Sequence, residues 1–133
     1  MKINNPAGTK APLTLDELSL TAESIAKLQL PNGMIPWFEN GHCDPWNHVE
    51  TAMALDVMGR HDNARLAYEW LRTTQRTDGS WFNYFHSDGK VEETKLDSNV
   101  CAYIGTGLWH HWLCTQDLET LKHFWPMLES AMT

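Results

Sequence analysis

The sequence predicts an all-α fold of antiparallel helical hairpins in two layers, on three observations. Helix start signals recur along the chain, each followed by apolar residues at helical spacing. The helices alternate between an amphipathic and an almost wholly apolar kind. Their connections alternate too, short after Met58 and Cys114, long over 30–43 and 75–96.

Thr14 with Glu17 forms a capping box, and Leu15, Leu18, Ala22, Ile25 and Ala26 follow as one stripe ending near Leu30. The second helix has Asp44 as N-cap, Pro45 at its first position and Gly59 as its stop. Past Glu50 it reads Ala52, Met53, Ala54, Leu55, Val57, Met58, which predicts burial on every side. Asp62 is the expected cap of a third, amphipathic helix with Leu66, Ala67, Trp70 and Leu71 inward. A fourth begins at Asp97 or Ser98, reads NVCAYIGTGLW and is again expected to be buried all round. Asp117 caps the fifth, striped by Leu118, Leu121, Phe124, Trp125 and Leu128.

Short turns make antiparallel pairs. Stacked side by side, such pairs place the apolar helices in an inner layer and the amphipathic ones outside. Both long loops and the starts of both inner helices then share one end. Gln29-Leu-Pro-Asn-Gly33 and Gln75-Arg-Thr-Asp-Gly79 lie 46 positions apart, each after an outer helix, a period expected of repeated units. About five helices cannot enclose a fully apolar inner layer. The expectation is therefore an incomplete ring over 1–133, continued by further chain or covered by self-association, with 1–13 extended or disordered.

A formal charge of −7 with scattered basic residues excludes nucleic acid as the main partner. No apolar run is long enough to insert in a membrane. The first residues lack the apolar centre of an export signal, and the three cysteines form no CxxC pair, so a cytoplasmic protein with reduced thiols is expected.

His42-Cys43-Asp44 with His48 and Glu50 crowds potential metal ligands together. Their spacing is neither CxxC nor HExxH, and neither a metal nor another cofactor is expected. Glu50, Asp44 and Asp97 stand at or near inner-helix starts. They are candidates for acid–base chemistry, although Asp44 and Asp97 are also ordinary N-caps. Trp37, Phe38 and Trp46 flank the second helix start, and Trp81, Phe82, Tyr84 and Phe85 occupy the next loop. Aromatics so placed either bind a ligand or plug the loop end as core. Trp37, Trp46, His48, Trp81 and Tyr84 are the candidate substrate contacts.

Trp70-Leu71, Gln75, Gly79 and Trp81, at these spacings, resemble the tryptophan-ending repeat of squalene–hopene and related terpenoid cyclases. The resemblance implies that Gln caps a neighbouring helix and that Trp packs at a helix end. Repeat and helix alternation together resemble the α/α toroid group: terpenoid cyclases, protein prenyltransferases and six-hairpin glycosidases. From "IPWFENGHCDPWNHVETAMAL" to "NVCAYIGTGLWHHWL" the chain is similar to bacterial proteins labelled prenyltransferase-like, over about residues 20–130. The DxDD motif of the cyclases and the spaced zinc ligands of the prenyltransferases are missing. The resemblance thus implies a partial α/α toroid. The expected activity is that of a glycosidase-like enzyme acting on a saccharide, with isoprenoid binding or transfer, or a noncatalytic scaffold, as alternatives.

Overall fold

The computed structural model describes residues 13–133; the expectation for the N-terminal segment lies, but for Leu13, outside the described residues. These form five helices: α1 Leu15–Leu28, α2 Pro45–Val57, α3 His61–Thr74, α4 Ser98–Thr115 and α5 Leu118–Met132. A two-stranded antiparallel sheet, β1 Tyr84–Phe85 with β2 Val91–Glu93, lies between α3 and α4. The fold is all-α apart from this hairpin, which was not expected. Its signal is Asp88-Gly89, where Gly89 turns the chain at φ +85° and Asp88 accepts from the Lys90 N–H.

Local chemistry explains most helix starts. Thr14 and Glu17 form the capping box, and Asp44, Asp97 and Asp117 each accept a backbone N–H from the helix they begin. Asp62 does not cap α3. The reversal after α2 closes with Arg60 N–H donating to Leu55 O across Gly59 at φ +74°, so α3 starts at His61 and Asp62 falls in its first turn.

Helices α2 and α4 form the inner layer and run parallel. Trp46 meets Tyr103 near their starts, and Asp56 meets His111 near their ends. Helices α1, α3 and α5 form the outer layer. The core joins both through Val49, Ala52, Leu55, Tyr68, Trp70, Leu71, Ile104, Leu108 and Phe124. The inner helices are not buried all round. Val57 is 66% exposed and Trp109 59% exposed, with Ala54, Ala102, Thr106 and Leu113 also open. Their composition suits burial, but nothing among the described residues covers that side. On α5 the buried line is Thr120, Phe124 and Met127, which leaves Leu118 and Trp125 half exposed on its flanks.

The repeat is real in three dimensions. Gln29 Nε2 donates to Gly33 O at 3.1 Å and to Asn63 O of α3 at 2.9 Å. Gln75 Nε2 donates to Gly79 O and to Met127 O of α5, both at 2.9 Å. Each outer helix is thus clipped to the next by one amide. The turns match bond for bond, since Gly33 and Gly79 N–H donate to Leu30 and Arg76 O. Deeper in, Ile35 N–H donates to His48 and Trp81 N–H to Cys101, each the fourth residue of its inner helix. Trp81 Nε1 donates to Leu71 O, so it packs at a helix end as the resemblance implies.

Gly33 and Gly79 have positive φ, and a Cβ on Gly79 would fall 1.9 Å from Ser130 O, whereas one on Gly59 would meet nothing within 4 Å. Gly59→Ala should therefore cost about 1 kcal/mol from backbone strain alone. Gly79→Ala should cost more than about 2 kcal/mol, because α5 must move as well. Urea unfolding of both variants checks this, and equal losses would show that the clip is loose.

Candidate active site at the loop-bearing rim

The two long loops meet at one end. Cys43 and Phe85 exchange backbone hydrogen bonds at 2.9 Å, tying the first loop to the hairpin. Trp46, on α2, reaches this rim, and Trp81, bonded to Cys101 on α4, packs beneath the same end.

Two carboxylates stand on the first turns of α2, each held by an indole. Asp44 is buried. Its Oδ2 accepts from Trp37 Nε1 at 2.7 Å and Asn47 Nδ2 at 2.8 Å, and its Oδ1 from Asn47 N at 2.9 Å. Glu50 is exposed. Its Oε1 accepts from Trp46 Nε1 at 3.1 Å and Tyr103 OH at 3.2 Å. Trp46 and Tyr103 stack with ring centroids 4.6 Å apart and planes 11° apart. Desolvation first, then the Glu50 carboxylate, pushes the Tyr103 phenol up, so it stays a donor. Asp97 caps α4, accepting from Asn99 N at 2.8 Å, and makes no hydrogen bond to Asp44 or Glu50.

Trp37, half exposed, stands edge-on to His42 at 4.6 Å, and Tyr84 lies 5.0 Å from the same imidazole. His42 Nδ1 faces Glu92 on β2 at 3.1 Å, which braces the hairpin against the first loop. The aromatic loop residues divide. Trp37, Phe38 and Tyr84 face outward to differing degrees. Trp81 and Phe85 are buried, and Phe82 lies against the core under Arg76.

The apparent ligand cluster disperses. His48 is buried, with Ile35 N–H donating to Nδ1 at 3.2 Å and Nε2–H donating to Ala67 O at 2.8 Å. Both ring nitrogens are engaged inside the protein. The Cys43 thiol, pushed up by burial and then by Asp44, donates weakly to the Asp44 carbonyl. Of the candidate substrate contacts, Trp37, Trp46 and Tyr84 reach the rim surface, while His48 and Trp81 sit in the core.

Two features were missed. Tyr103 lies six residues after its N-cap, as Glu50 does, and that shared register was its sequence signal. At the opposite end, buried Asp56 accepts from His61 Nδ1 and His111 Nδ1, both at 2.8 Å, joining α2, α3 and α4. The reversal at Gly59 brings His61 to Asp56, and the packing of α4 on α2 brings His111.

No protein-family model matches the chain. It is 49% identical over 125 residues, 94% of its length, to a protein of Mycolicibacterium hassiacum named MMP endo-(1,4)-3-O-methyl-alpha-D-mannosidase. The chain spans about a third (34%) of that relative's length. It is also 28% identical over 83 residues, 60% of its length and 13% of the other's, to a protein of Methanocaldococcus jannaschii named an uncharacterized glycosyl hydrolase. Both names are those of glycoside hydrolases, and neither refers to isoprenoids. No helix among the described residues is long and apolar enough to cross a membrane.

Burial lowers the His48 pKa to about 4. The unfolded chain takes up this proton near 6.5, so between these values it binds more protons than the native state. Stability from this group is complete above pH about 6.5 and is lost as pH falls toward 4, on the order of 3 kcal/mol in all. NMR titration of the His48 ring should give a midpoint near 4; a midpoint near 6.5 would place the ring in water.

Proposed function

We propose that this chain forms one wall of the active cleft of a glycoside hydrolase acting on an α-(1,4)-linked mannose oligosaccharide that carries methyl ethers. The substrate class comes from the name of the Mycolicibacterium hassiacum relative, and the 49% identity across nearly the whole chain supports it. The observation that carries the mechanism is the pair of carboxylates on neighbouring turns of α2, each fixed by a tryptophan N–H at the rim.

Glycosidic cleavage uses one carboxyl group to protonate the leaving oxygen and a second to activate water or attack the sugar. Glu50 presents Oε2, which has no partner among the described residues, on the open side of the inner layer. It is the group assigned to contact the reacting atoms. Asp44 is the second carboxyl, with Asp97 its alternative at the next inner-helix start. Trp37, Trp46 and Tyr84 supply flat apolar faces and polar edges, which suit the C–H face and hydroxyl rim of a pyranose. His48 and Trp81 support the rim from beneath.

Glu50→Gln is a clean test, because the amide oxygen can still accept from Trp46 and Tyr103. In the native protein, turnover of a 3-O-methylmannose oligosaccharide should fall by at least about 10²-fold, while sugar binding and melting temperature are kept. Undiminished turnover removes Glu50 from the mechanism.

A further inference from the structure

The carboxylate pair leaves one opening beside it unused. A groove of about 350 Å³ runs between the C-terminal half of α1, the chain at 35–37 and the first two turns of α2. Its aliphatic side is Ile25, Leu28 and Ile35; its polar side is Trp37, Asn47 and Thr51. The polar side has little left to give. Trp37 Nε1–H and one Asn47 Nδ2–H already donate to Asp44, and the Thr51 hydroxyl donates to Asn47 O at 2.6 Å. The second Asn47 N–H, the Asn47 amide oxygen and the Thr51 lone pairs remain for a ligand.

We infer that this groove is the subsite that takes the methyl-ether-bearing unit of the saccharide, an assignment that rests on the glycosidase reading above for its ligand class. A hydroxyl turned toward Ile25, Leu28 and Ile35 finds no acceptor on that side, so its proton must turn back to Asn47, Thr51 or solvent. A methyl ether has no proton to strand there, and its carbon buries against the aliphatic side. Its oxygen can accept from the remaining Asn47 N–H. Trp37 and Asn47 border the groove and also hold Asp44, so a sugar seated there lies beside that carboxylate. The groove therefore selects by substituent as well as by ring.

Isoleucine-methyl NMR reads this directly, with Ile104 in the core as an internal control. Titration with methyl 3-O-methyl-α-D-mannoside should shift the Ile25 and Ile35 methyl signals and leave Ile104 in place. Methyl α-D-mannoside should bind at least about tenfold more weakly, the usual discrimination for one methyl group in an apolar pocket. Leu28→Asn should erase that difference. Unshifted Ile25 and Ile35, or equal affinity for the two sugars, overturns the subsite. Shifts without turnover of any mannoside would instead remove the glycosidase reading and keep the subsite; turnover with silent Ile25 and Ile35 would do the reverse.

Discussion

Three donors converge on the Asp44 carboxylate, and the layout of the rim follows from them. A buried carboxylate is tolerated only when its lost hydration is replaced, and here the Asn47 amide, the Asn47 backbone and the Trp37 indole replace it. The same bonds begin α2, fix the indole at the surface and draw the first loop down over the helix end. Cys43, one residue earlier, pairs its backbone with Phe85, so the second loop is anchored to the same point. Helix start, loop docking and candidate chemistry share one group.

Around that point the chain builds the same unit twice. A glutamine amide clips each outer helix to the next, a glycine lets the turn lie flat against it, and the following extended segment donates to the fourth residue of the inner helix. The two copies differ where chemistry could enter. Trp46 and Glu50 of α2 correspond in register to Asn99 and Tyr103 of α4. Glu50 and Tyr103 bond to each other across the inner layer, so the divergence between copies assembles a polar cluster on a repeated scaffold.

Most of the fold was legible because it rests on local chemistry. Caps at Thr14, Asp44, Asp97 and Asp117 need only neighbouring residues, and the Gln–Gly repeat carried its spacing openly. Asp62 misled because the three-residue reversal at Gly59, not a side chain, sets the start of α3. Composition marked α2 and α4 as apolar but could not say whether a neighbour stands on each side. The rim was readable only by residue type. Asp44, Glu50, Trp37, Trp46 and Tyr84 reach it, whereas His48 and Trp81, equally polar or aromatic, turn inward toward Ala67 O and Leu71 O. Side-chain direction depends on tertiary partners that a linear pattern does not contain. Tyr103 was hidden inside an apolar run and emerges only when the two repeats are set in register.

The most direct measurement is a crystal structure of the native protein with a bound oligosaccharide of α-(1,4)-linked 3-O-methylmannose. Sugar density is expected at the rim near Trp37 and Trp46, with a glycosidic oxygen within about 3 Å of the Glu50 or Asp44 carboxyl. Sugar bound at the short-turn end, near Asp56 and His111, would contradict it.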